Sequence, residues 1–167
     1  MPQGLIIPIA ILTAVLAALA IGSLFAFSTF VMGALARLKP AEAISAMQSI
    51  NIVVINPYFM SAFFGAALAF IVLSLAVVGD LGRPHAVLTL VAAALYIVGT
   101  IGITMVFNVP LNNGLAGADP VSAHADTIWS AYQGSWLMWN HIRTAAGALS
   151  LVLLILAIAE MRAAAAS

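Results

Sequence analysis

Apolar residues run almost unbroken through four stretches of the chain, at about 5–35, 57–78, 84–108 and 138–160, and polar intervals separate them. Each stretch reaches or exceeds the roughly 20 residues a helix needs to cross a bilayer. The pattern predicts an all-α fold: one integral membrane domain over 1–167, a four-helix bundle with short interfacial helices in the loops on one side. In the first stretch Ala10, Ala14, Ala18 and Gly22 form a small-residue stripe against which a neighbouring helix would pack closely. Between the first two spans, Pro40 followed by Glu42 predicts the start of a short interfacial helix, AEAISAMQSINIVV, with Gln48 and Asn51 on one face. Asn56 and Pro57 read as N-cap and first residue of the second span. GDLGRPH then turns the chain tightly into the third.

The polar residues near the span ends carry the candidate chemistry. Thr104, Asn108 and Asn112 follow at four-residue steps toward the end of the third span, where Pro110 is expected to stop the helix. Asp119 and Pro120 suggest the start of another helix, and Gly134 a bend within it. In WSAYQGSWLMWNHIRT, residues 129–144, steps of three and four put Trp129, Tyr132, Trp136, Trp139 or Asn140, and Arg143 along one face. Four spans bring both termini to one side. Ser28, Gln48, Asn51, Asn108, Asn112 and the 129–143 face are then expected together at the other.

Composition agrees with a bilayer: 65% of the residues are hydrophobic and 6% charged, against about 25% charged in soluble domains. Net charge is zero and the five basic residues are scattered, so nucleic acid is not a partner; lipid is, and a second copy of the chain is an open prospect. Without cysteine there is no disulfide and no thiolate-bound metal. MPQG lacks the basic start of a cleaved leader, so the first apolar run is expected to stay. The distribution of Lys and Arg favours cytoplasmic termini in a plasma or inner membrane, with Arg37 and Lys39 against it. No metal is expected, because His124, Asp126 and His141 lack a recognised ligand spacing.

FAFSTFVMGAL, MQSIN, NPYF, FNVPLNNGL and WSAYQGSWLMWNHIRT, in that order, resemble the anthrone oxygenase-like family of small membrane proteins, long catalogued as a domain of unknown function, most of whose bacterial members have no assigned reaction. Some fungal members of that family oxidise anthrones to anthraquinones. The resemblance implies a cofactor-independent oxygenase for a flat phenolic, anthrone-like or quinol-like substrate. His141 would then be the base, since imidazole accepts protons near its ordinary pKa of about 6.5. Arg143, Asn108, Asn112 and Asn140 would donate to an oxyanion, and Trp129, Tyr132, Trp136 and Trp139 would stack on the rings. Each residue also has a plainer account. Aromatic rings gather at membrane interfaces, the asparagines cap broken helices, Gln48 and Asn51 tie helices together, and Arg143 snorkels or pairs with Asp126. The alternative to an enzyme is therefore a non-catalytic subunit or a lipophile-binding protein.

Overall fold

The computed structural model describes residues 3–166, so the leader expectation falls partly on Met1 and Pro2, outside the described residues. Four helices are long and apolar enough to cross a membrane: α1 (Leu5–Leu35), α3 (Pro57–Asp80), α4 (Pro84–Ala116) and α5 (Ala125–Ala165). A shorter helix, α2 (Pro40–Val53), connects α1 to α3. The fold is an all-helical four-span bundle in which α1 packs on α3 and α5, and α4 on α5 and α3.

Local chemistry sets several of the boundaries. Asn56 Oδ1 accepts from the backbone N–H of Tyr58 (3.1 Å) and Phe59 (3.0 Å), and Pro57 follows as the first helical residue. At α2 the Glu42 carboxylate accepts from the Lys39 N–H at 3.3 Å, with Pro40 inside the first turn. Other boundaries differ from the sequence reading. Pro110 does not stop α4, because the turns before it, Thr104–Asn108, are π-helical. The Val109 N–H reaches back five residues to Thr104 O, and this wider turn accommodates the bond that proline cannot make. After Ala116, Asp119 caps only a turn, its Oδ1 accepting from the Val121 N–H at 3.1 Å. The last helix therefore begins at Ala125, not at Pro120. It passes through Gly134 without a break.

The packed stripe of α1 also differs from the predicted one. Ala10, Thr13, Ala17, Ala20 and Leu24 are buried, while Ala18 and Gly22 face outward. Four-residue steps rotate about 40° per step past one face, whereas mixed steps of three and four stay on it. Small contacts hold the centre of the bundle, as expected where lipid supplies no hydrophobic drive between helices. The Ser150 hydroxyl donates to Ala92 O (2.6 Å) and the Tyr96 hydroxyl to Phe63 O (3.1 Å).

At about 1.5 Å per residue, α5 extends roughly 60 Å, twice the hydrocarbon thickness. Its first turns consequently stand clear of the membrane core. They pack Trp129, Tyr132 and Trp136 against Met32, Ile44 and Met47 of α1 and α2. This second core forms a cap over one end of the bundle.

Candidate functional site

Beneath the cap, α1, α2, α3 and α4 surround a cavity of about 790 Å³, in the size range of small-molecule sites. Its walls are mainly apolar: Phe27, Met47, Phe63, Met105 and Val109 contribute, and Trp136 and Arg143 of α5 close the inner side. Several lining side chains, Ile52, Ile55, Phe64 and Met105, are exposed on the outer surface of the bundle. Here α3, which packs along the first half of α4, diverges from its second half. The opening therefore faces the side of the bundle, where a lipophile dissolved among acyl chains would meet it.

Arg143 is the one charged side chain in that wall, and it is only 5% exposed. Its Nε and Nη2 donate to Asn140 Oδ1 at 2.9 and 2.7 Å, and its Nη1 to Thr104 Oγ1 at 2.9 Å. The guanidinium carbon lies 5.1 Å from the centre of the Trp136 ring, a cation–π contact. No ion pair neutralises it among the described residues. Asp126, its expected partner, is exposed and lies about 25 Å away along the same helix.

The neighbours of Arg143 are fixed in turn. An arginine only donates, so the Asn140 atom it meets is the oxygen. The Asn140 amide nitrogen then donates to Ser28 Oγ (2.7 Å) and Leu24 O (2.9 Å). Ser28 stands 3.2 Å from Thr144 Oγ1, which donates to Asn140 O. Ser28 lies in a π-helical turn of α1, Phe27–Val31, and Thr104 in another of α4. Such turns interrupt regular side-chain spacing and are frequent at functional sites.

Two further asparagines join α4 to α5. Asn108 Nδ2 donates to Trp136 O at 3.1 Å, and its Oδ1 is buried without a partner. Asn112 Oδ1 accepts from both the Tyr132 hydroxyl (2.9 Å) and Trp136 Nε1 (2.8 Å). On α2, Gln48 Nε2 donates to Leu115 O (2.9 Å) and Ala118 O (3.0 Å), fastening the end of α4 under the cap. Asn51, one turn on, also lines the cavity.

The residues singled out in the sequence thus divide. Arg143, Asn112, Trp136, Gln48 and Asn51 line the cavity. Asn140, Ser28, Asn108 and Tyr132 buttress those residues from behind, and Trp129 sits in the cap core. His141 and Trp139 do not join them. His141 is exposed on the outer surface of α5, and Trp139 stacks on Phe107 at 3.6 Å on another face. The reason is helical phase: each lies one residue, about 100°, from Asn140. His124 and Asp126 are exposed at the start of α5 and do not converge with His141; no cluster of three metal-ligating His, Asp or Glu side chains occurs among the described residues.

Thr104 and Thr144, to which the sequence reading gives no role, complete the Arg143 and Asn140 network. Thr104 carried a signal, since it leads the four-residue series with Asn108 and Asn112. Thr144 had only its place four residues after Asn140.

Residues 57–153 match the anthrone oxygenase family. The matched region holds α3, α4 and most of α5, including Thr104, Asn108, Asn112 and every residue from Trp129 to Arg143; Ser28, Gln48 and Asn51 lie before it. The chain matches no curated protein and no solved structure.

Proposed function

The chain belongs to the anthrone oxygenase family, and from that premise we propose that it is a membrane oxygenase for a flat, lipophilic phenolic or anthrone-like substrate. The observation that carries this reading is the buried guanidinium of Arg143 in an apolar cavity, with no carboxylate beside it. A buried cation without a counter-ion is costly, and in a membrane protein such a charge points to function. An anionic ligand would supply the missing charge.

The substrate enters through the side opening and lies between Phe27, Phe63 and Trp136, with its oxygen toward Arg143. An anthrone loses a proton from the methylene opposite its carbonyl, and the negative charge moves to oxygen. Arg143 holds that oxygen and lowers the cost of ionisation. The resulting anthrolate is electron-rich enough to react with dioxygen directly. Overall the methylene becomes a carbonyl, one dioxygen is consumed and one water is released: R₂CH₂ + O₂ → R₂C=O + H₂O.

The geometry does not support His141 as the base. Among the described residues no Asp, Glu, His or Lys side chain lines the cavity, and both methylene hydrogens leave in the water formed. His141→Ala is expected to keep the parent rate of oxygen uptake within about twofold; a tenfold fall would restore the histidine to the mechanism. The same lack of a side-chain base favours one second reading, a protein that binds the lipophile without turning it over.

The test is to follow 1,8-dihydroxyanthrone with the protein in lipid nanodiscs, measuring oxygen consumption and anthraquinone absorbance against empty nanodiscs. Faster conversion supports the oxygenase. Saturable binding at the background rate leaves the binding protein.

A further inference from the structure

The cavity is polar in two separate places. At the first, the three bonds from Arg143 use three of its five N–H groups. Two donors remain, and nothing charged answers them. At the second, the orientation of the Asn112 amide is settled by its partners. The indole N–H of Trp136 can only donate, so the Asn112 atom it meets is the oxygen, which the Tyr132 hydroxyl also reaches. Asn112 lines the cavity, and its amide nitrogen, opposite the oxygen those two donors hold, makes no hydrogen bond among the described residues. On α2, the buried Nδ2 of Asn51 interacts with Tyr132 without closing a hydrogen bond of good geometry.

The two places lie at opposite ends of the Trp136 indole, whose ring is 5.1 Å from the Arg143 guanidinium carbon and whose N–H reaches Asn112 at 2.8 Å; along α4, Thr104 and Asn112 are two turns, about 12 Å of helix, apart. Met105 and Val109 form the lining of α4 between them, and Phe27 and Phe63 contribute from α1 and α3. An apolar slot with hydrogen-bond donors at both ends suits a rigid flat ligand with an oxygen at each end.

We propose that the cavity reads its ligand twice: an ionised oxygen binds Arg143, and a second oxygen at the far end of the same fused-ring body accepts from Asn112. Tyr132 is a positioning residue that acts by holding the Asn112 carbonyl away from the ligand. This rests on the reading of the cavity as a site for flat phenols, and it adds a selectivity that the reading does not require. A ligand with one terminal oxygen would leave the Asn112 donor unsatisfied, and a buried hydrogen bond gained or lost changes affinity about tenfold.

The probes are 2-hydroxyanthraquinone and 2,6-dihydroxyanthraquinone, titrated into the full chain in mild detergent. Tryptophan quenching gives Kd, and the red-shifted absorption of the phenolate reports the ionised end. The parent should bind the dihydroxy compound about tenfold more tightly. Asn112→Leu should bring the ratio near one, because only the dihydroxy compound loses a bond to the amide. Tyr132→Phe, which keeps the Trp136 bond to Asn112, should lower the ratio partway and serves as the test if the leucine variant does not fold.

Equal binding of the two compounds by the parent overturns two-ended recognition and leaves the flat-phenol reading standing. Equal weakening of both by Asn112→Leu, or an unchanged ratio in Tyr132→Phe, also overturns it. Binding of neither compound by the parent overturns the flat-phenol reading and this inference together.

Discussion

Arg143→Met is expected to slow substrate oxidation by a factor of 10² to 10³, roughly the cost of removing one oxyanion donor from a preorganised site, while the protein stays folded. Methionine fills much of the volume of the arginine stem without a charge. Its effect on stability has two opposing parts. Removing a buried, unpaired cation relieves a desolvation cost, whereas Asn140 Oδ1 loses both of its donors, at about 1–3 kcal/mol. The thermal midpoint should therefore move little even as activity collapses. Arg143→Lys sharpens the comparison. An ammonium keeps the charge but is a compact point donor, and it cannot reach Asn140 and Thr104 together as the guanidinium fork does. Its rate should fall about tenfold, between parent and methionine. Oxygen uptake in nanodiscs and thermal melting in detergent measure both halves. Full activity in the methionine variant would remove Arg143 from the chemistry; loss of folding in both variants would make its role structural.

Helical phase explains both what could be read from the sequence and what could not. Steps of three and four from Trp129 select Tyr132, Trp136, Asn140 and Arg143, and all of these are buried. The same stepping excludes His141, which the chemistry of imidazole favoured, and it admits either Trp139 or Asn140; the fold buries Asn140 and turns Trp139 onto Phe107. The spans were legible because a bilayer demands long apolar runs, and the start of α3 because Asn-Pro has a local capping mechanism. Pro110 misled because a proline's effect depends on the register before it, and the π-helical turn at Thr104–Asn108 has no sequence signature of comparable clarity. The cavity was not legible either. It depends on α3 and α4 diverging and on Phe27, Met47 and Phe63, ordinary apolar residues, arriving from separate helices.

Gly99→Leu is expected to unfold the protein or leave it destabilised by several kcal/mol, although the residue does not itself line the cavity. A β-carbon at Gly99 would lie 2.6 Å from the Ala146 Cβ. Alanine has no rotamer with which to retreat, so α4 and α5 must move apart. Overpacking of this kind costs about 1–3 kcal/mol and occasionally more, and leucine adds three carbons beyond the clash. The displacement acts on the site as well. Ala146 is one turn from Arg143 on α5, and Thr104 follows Gly99 by five residues on α4. The Arg143–Thr104 bond (2.9 Å) and the Thr100–Arg143 bond (3.1 Å) cross that same seam, and neither survives a separation of about 1 Å. The milder Gly99→Ala should lower the thermal midpoint and the oxidation rate together. Adding Ala146→Gly to it removes the opposing methyl and should restore much of both, a coupling that appears only if the two positions touch. Gly134→Ala provides the contrast: its β-carbon would meet nothing within 4 Å, so it should be neutral or gain about 0.5–1 kcal/mol from helix propensity. Additive losses in Gly99→Ala/Ala146→Gly, followed by thermal melting, would show that the α4–α5 seam is not what holds Arg143 in place.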